Sequence, residues 1–308
     1  MKRVLTPLLL SIMFMGCSDS ADTRTEDSSD TSMRDAPNVV EVVAIGLTLE
    51  APDSIQAGWT TFRFRNESPL THFVLIDHLP EGKTFEDTEN EVIPVFQAGL
   101  DLINEGRPSE GFVEFERLPA WFSDVTFHGG PGLLAPGKTG ETTVYLAPGT
   151  YVLECYVKTA GRFHSADGMA RQLIVIGEPS NAPEPTGTLA LSLSANGIVM
   201  QEIPAAGMHT VKVEFVDQMV HENFLGHDVH LVRLEGDTDL DELATWMDWV
   251  NVSGLATPAP AEFLGGTHDQ PAGTVGYFTV DLSPGNYAWV AEVPNPLEKG
   301  MFVTFTVE

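Results

Sequence analysis

Of the two cysteines in this 308-residue chain, Cys17 falls at the end of an N-terminal leader and Cys155 stands alone in the body of the sequence. A lone thiol in an exported chain is either a small buried hydrophobe or a thiolate ligand, and composition does not separate the two. From Cys155 the spacing runs Cys-x8-His-x4-Met through His164 to Met169, with His72 far upstream. A thiolate, imidazoles and a thioether are soft or borderline donors, the types that hold a metal ion in either of two oxidation states. Taken singly, His72 also suits solvent or core at a strand start, and Met169 suits packing. His78 and His128 stand outside this spacing and are read as non-ligands. His221, His227 and His230 form another group, but positions 227 and 230 are an odd number apart on a strand and should face opposite ways.

The elements that must position these residues come as an internal repeat. Ala57-Gly58-Trp59-Thr60 leads into Phe62 and Phe64 at alternate positions, then His72 to Ile76 and the turn Pro80-Glu81-Gly82. Ala206-Gly207-Met208-His209 leads in the same way into Val211 and Val213, then His227 to Leu231 and the turn Glu235-Gly236-Asp237. Such alternation marks half-buried strands. Each copy then carries one short helix, announced by a capping pattern of Thr84 with Asp87 and of Thr238 with Asp241. Val92, Phe96, Leu100 and Ile103 give the first helix its apolar stripe, with a bend or restart at Pro94. Leu240, Leu243, Met247 and Val250 give the second. Val144 to Tyr151 and Val280 to Tyr287 match as closing hairpins about Pro148-Gly149 and Pro284-Gly285, with the glycine expected at positive φ. Final strands are expected over 169–176 and 301–307, and Glu178 to Pro185 reads as a stiff proline-rich linker.

Several short strands per copy with one intervening helix imply an antiparallel Greek-key sandwich. On the stretch from Asn66 through His72, followed by Pro148 to Cys155 and then His164 and Met169, the chain resembles the cupredoxin superfamily. The resemblance covers both repeats and implies an all-β protein of two cupredoxin-like sandwiches in tandem. It further implies one mononuclear type 1 copper in the first, held by His72, Cys155, His164 and Met169. The loop spacing is similar to the type 1 site of copper nitrite reductases rather than to the tighter loop of plastocyanins. Asn66 would tie the ligand loops together. Aligning the copies places Ala291 opposite Cys155 and Pro296 opposite His164, so only His227 and Met301 survive and the second copy is expected to lack the site.

Lys2 and Arg3 precede an apolar run from Val4 to Met15 that is too short to span a bilayer and reads as a signal peptide over 1–16. Gly16-Cys17 resembles a bacterial lipobox, although Phe14 replaces the usual Leu, and implies acylation of Cys17. Ser18 favours the outer membrane, facing the periplasm or exterior. Residues 17–38 have the polar composition of a disordered tether. The folded body is expected as 39–177 with the copper site, a linker at 178–187, and 188–308 without the site. The formal charge of -28 excludes nucleic acid as a partner. It would steer a basic redox protein, a c-type cytochrome for example, toward the chain, or simply keep the protein soluble.

Glu154 and Tyr156 flank Cys155 where related two-centre enzymes place a histidine, and no His-x-His pair exists to build a catalytic cluster. One-electron transfer is therefore expected rather than substrate turnover. A metal-free binding module and a copper chaperone or store are the competing readings.

Overall fold

The computed structural model describes residues 38–308, which fall within one compact unit. The signal peptide, the lipobox with Cys17 and the tether up to residue 37 lie outside the described residues. The architecture is all-β: two Greek-key sandwiches in tandem, each with helical insertions.

Apolar residues alternate along Gly58–Asn66, and the inward set, Thr60, Phe62 and Phe64, is fully buried. Leu189–Ser194 and Gly207–Phe215 do the same in the second half, burying Leu191, Leu193, Val211, Val213 and Phe215. Each such side chain contributes about 1.5–3 kcal/mol when taken from water. Facing sheets complete the sandwiches. One has the order Ser54–Gln56, Ala170–Ile176, Gly149–Glu154, Leu75–His78, Thr126–Phe127; the other has Glu262–Thr267, Val229–Leu234, Gly285–Val290, Phe302–Val307.

The two halves also share a sheet. Thr139–Leu146 pairs with Gly58–Asn66 on one side and with Val275–Leu282 on the other, where Tyr277 meets Thr143 and Thr279 meets Glu141. An eight-stranded sheet results, running from Gly197–Met200 at one edge to Thr48–Glu50 at the other.

Three local expectations need correction. The matched Pro-Gly segments are not hairpins: Thr139–Leu146 and Gly149–Glu154 belong to different sheets, as do Val275–Leu282 and Gly285–Val290. Each Pro-Gly turn carries the chain across the sandwich, and a tyrosine pins it, Tyr151 donating to Ala147 O at 2.9 Å and Tyr287 to Ser283 O at 2.7 Å. Gly149 is required by contact and not by positive φ, since a Cβ there would lie 2.4 Å from His78 Nε2. Thirdly, Thr84 and Asp87 do form the capping box, but the second helix is capped by Asp239, whose carboxylate accepts from Asp241 N and Glu242 N. Thr238 instead accepts from Glu235 N in the preceding turn. Asp239 stands one residue later, where its Oδ1 accepts from both free N-H groups at 3.0 Å, while the Thr238 hydroxyl is taken up by the turn.

The first insertion holds two helices where one was expected. Ile93–Asn104 begins with Pro94 in its first turn, after an irregular helical stretch at Thr88–Val92, and Pro108–Phe115 packs back on it. Gly99 allows that contact, because a Cβ there would lie 2.1 Å from the Phe115 ring.

Candidate metal centre

Cys155 follows directly on Gly149–Glu154, and Met169 directly precedes Ala170–Ile176. These two strands pair, and Cys155 N donates to Met169 O at 3.0 Å as the last rung of their ladder. Between them the chain makes a small hairpin of Lys158–Thr159 and Arg162–Phe163. Its two central residues, Ala160 (φ 52°) and Gly161 (φ 78°), are both left-handed, as a tight two-residue turn with native twist demands. The hairpin returns His164 to the start of the loop, where His164 N donates to Val157 O at 2.9 Å. A single helical turn at Ser165–Asp167 then ends on Gly168 at φ 102°, and Met169 N donates to His164 O at 2.9 Å.

The helix Ile93–Asn104 braces this hairpin from outside. Gln97 Oε1 accepts from Phe163 N at 3.0 Å, and Asn104 Nδ2 donates to Gly161 O at 2.9 Å. The helices thus position a ligand loop in addition to packing.

His72 arrives on an isolated bridge with Leu134, its N donating to Leu134 O at 3.3 Å. Asn66 holds that bridge. Its Nδ2 donates to Leu134 O and Leu70 O, both at 2.8 Å, while its Oδ1 accepts from Ser68 N at 3.1 Å.

The three donors meet in the interior. Cys155 Sγ lies 3.6 Å from His72 Nδ1 and 3.7 Å from His164 Nδ1, and the two nitrogens are 3.1 Å apart. A triangle with sides of 3.1, 3.6 and 3.7 Å has its centre about 2 Å from every corner, close to the bond length of a first-row metal ion to imidazole nitrogen. His72, Cys155, His164 and Met169 are all fully buried. The donor set therefore fits a type 1 copper in chemistry and in size.

Burial also sets the proton states. It pushes His72 down to about 3, helped by the neighbouring His164, and His164 down to about 4, so both imidazoles are neutral and ready to bind. The Cys155 thiol is pushed up to about 12 by burial, so a cation must displace its proton on entering. Copper loading between pH 5 and 8 is expected to release about one proton, which calorimetry in buffers of different ionisation enthalpy measures directly.

His164 Nε2 lies 2.9 Å from Thr159 Oγ1, which lies 2.7 Å from Thr257 Oγ1, which donates to Lys158 O at 3.2 Å. With Nδ1 facing the other donors, Nε2-H donates into this hydroxyl chain, and the tautomer is fixed. Thr257 belongs to the second half, so the second half helps to orient a ligand of the first. Thr159→Val is expected to weaken copper binding by roughly tenfold or more, read by competition with a chelator.

The structure brings together His72, Cys155, His164 and the backbone of Met169, with Asn66 supporting. His78 stacks on Tyr151 with ring centres 4.5 Å apart, and His128 packs against the same ring; neither joins the centre. In the second half the alignment of the copies is visible in the backbone. Ala291 N donates to Met301 O at 2.9 Å and Met301 N to Pro296 O at 2.8 Å, the bonds that Cys155, Met169 and His164 make. His227 pairs with His221 at 3.1 Å, apart from His230, whose Nε2 meets Asp228. Thr159, Thr257 and the braces Gln97 and Asn104 were not legible as site residues, because nothing in their local spacing refers to position 164.

No protein-family model matches the chain, and no curated protein matches it. Among solved structures it is similar to auracyanin A, a blue copper protein from Chloroflexus aurantiacus, at 22% identity over 46% of this chain and 100% of that one, with a TM-score of 0.29. The auracyanin of Roseiflexus castenholzii aligns at 21% identity over 46% of this chain and 99% of its own, with a TM-score of 0.26. A Cu-containing nitrite reductase from Thermus scotoductus aligns at 13% identity over 88% of this chain and 61% of its own, with a TM-score of 0.22. At overlaps this low, it is the geometry of the donors that speaks for copper.

Proposed function

We propose that the chain is an exported, lipid-anchored copper protein of cupredoxin type that carries single electrons at the cell envelope. The observation that carries this reading is the closed triangle of one cysteine sulfur and two neutral imidazoles, all fully buried. Copper bound there supplies a one-electron couple. The protein contributes a fixed ligand loop, braced by Gln97 and Asn104 and tied by the hydroxyl chain at His164, so that the donors move little between oxidation states. Complete burial of the donors favours retention of the ion over hand-over to another protein, which speaks against a chaperone.

Glu154 and Tyr156 beside Cys155 leave no imidazole there to lead electrons to a catalytic copper. Anchoring through Cys17 accords with the leader, and among the described residues no helix is long and apolar enough to cross a membrane. The formal charge of -28 favours a basic electron partner such as a c-type cytochrome.

The test is a visible spectrum of the leaderless chain with added Cu(II), followed by rapid mixing with a reduced basic cytochrome. An intense thiolate-to-copper band toward the red, and oxidation of the cytochrome at a rate that falls as salt rises, are expected. A colourless protein would leave the metal-free binding module standing. A coloured protein that exchanges no electrons would leave the copper store.

A further inference from the structure

Where the two halves meet, a second group of potential ligands lies buried, one residue from the copper thiolate. Asp228, His230, His268 and Glu292 each bring one donor atom to within 4.8 Å of the others. All four are buried, none more than 4% exposed. They come from the same end of three neighbouring strands. Asp228 precedes Val229–Leu234, His268 follows Glu262–Thr267, and Glu292 lies just past Gly285–Val290.

The hydrogen bonds assign their roles. His230 Nδ1 accepts from Leu133 N at 3.1 Å, so its proton sits on Nε2 and is donated to Asp228 Oδ2 at 2.8 Å. His230 therefore orients Asp228. Asp228 Oδ1 is fixed in turn by Glu292 N at 2.7 Å. Glu292 Oε2 accepts from the Tyr156 hydroxyl at 3.0 Å. What remains is Glu292 Oε1 and the His268 imidazole. Glu292 Oε1 is buried without a hydrogen-bond partner, a state that costs about 1–3 kcal/mol. His268 Nδ1 stands 3.8 Å from Asp228 Oδ2. That is too long for a hydrogen bond but is a spacing shared by two ligands on one cation at about 2.1 Å.

The acidic lining around this group also suits a cation. Asp77, Glu154, Asp228, Asp269 and Glu292 all line one cavity, and no Lys or Arg is among its described lining residues. Nearby Lys158 is already taken, its Nζ donating to the carbonyls of Trp249 and Asn251. Carboxyls gathered out of water without a counter-ion keep their protons, and a cation entering among them would take the protons' place.

We propose that Asp228, His268 and Glu292 form a second metal site, for a divalent first-row cation, with His230 and Tyr156 holding the two carboxylates in place. Two carboxylates and one imidazole are harder donors than the thiolate centre and select a different ion, of the manganese, iron or zinc class. Tyr156 follows Cys155 in the chain and binds Glu292, so the two centres are joined by one residue and one hydrogen bond.

Cobalt(II) tests this on the leaderless Cys155→Ser chain, where the thiolate is gone and the outcome is independent of the copper reading. One equivalent is expected by equilibrium dialysis, with the weak visible bands of oxygen and nitrogen ligands. Adding Glu292→Gln or His268→Gln is expected to weaken binding at least about tenfold while a cooperative thermal transition is kept. Tyr156→Phe removes only the hydroxyl that holds Glu292, and should shift affinity the same way by less, which keeps the test open should a ligand variant fail to fold. Absence of stoichiometric cobalt in Cys155→Ser would overturn the proposal, as would cobalt binding that Tyr156→Phe and the folded ligand variants leave unchanged.

Discussion

Cys155→Ser is expected to abolish the red-end absorption band entirely and to lower copper affinity by several orders of magnitude. Serine is nearly isosteric, but its oxygen is a hard donor that does not ionise readily in a buried site, so the triangle loses its charge-neutralising corner. The metal-free stability should change by only about 1 kcal/mol, because the thiol fills its place as a small hydrophobe. The loaded forms should differ far more. A ligand at a thousand times its dissociation constant stabilises the folded state by about 4 kcal/mol, so copper at the thiolate centre should raise the melting temperature of the parent chain by roughly 10 °C, a gain that the variant loses. Differential scanning calorimetry with and without copper reads both effects, with Glu292→Gln added to both chains to silence the second group of ligands; a variant that then gains as much as its parent would show that the two imidazoles suffice.

Lys158→Met is expected to be the most damaging change outside the ligands. Lys158 is fully buried and lies in the ligand hairpin, where its ammonium donates to Trp249 O at 2.9 Å and Asn251 O at 2.7 Å. Its backbone binds the same segment, with Lys158 N donating to Leu255 O and Lys158 O accepting from Thr257 N, both at 2.8 Å. Burial lowers the lysine to about 8, so at neutral pH it is still charged, held by the carbonyl dipoles and by the nearby acidic side chains of Asp248 and Glu292. Methionine keeps the volume and removes the donors, leaving buried carbonyls unpaired at a cost of about 3 kcal/mol, or roughly 5–10 °C in melting temperature. Copper should also leave the variant faster, because the loop carrying Thr257 is what Lys158 clamps against the hydroxyl chain at His164. A chelator chase measures that rate; an unchanged rate would show that the hairpin holds itself.

The carboxylates near the seam give the metal-free protein its pH response. Burial raises Asp269 to about 8 and Glu154 to about 7. A carboxyl whose pKa is higher in the folded than in the unfolded state contributes stability that is complete below about pH 4 and is lost as pH rises through the folded value. The metal-free melting temperature is therefore expected to fall between pH 5 and 8, opposite to a protein held by salt bridges. A rising curve over that window would sink the assignment.

The sequence was informative where a feature is local or repeated. Cys155, His164 and Met169 sit on one loop with fixed spacing, and the repeat carried the comparison to Ala291, Pro296 and Met301 down to matching backbone bonds. It was uninformative where partners are distant. Thr257 lies 98 positions from Thr159, and Glu292 lies 136 from Tyr156, and no pattern along the chain links them. His268 appeared in no motif because its meaning comes from Asp228 and Glu292 on adjoining strands. The matched Pro-Gly segments look like hairpins in sequence because a turn between two paired strands and a turn between two facing sheets use the same residues.

Strand Thr139–Leu146 has neighbours on both sides, one from each half. Cutting the chain within 178–187 would therefore not free two self-sufficient pieces: each fragment would present a bare row of backbone amides and carbonyls where its counterpart had been. Melting should be a single event for the intact protein, and the fragments made separately should seek each other, or copies of themselves, along that opened border.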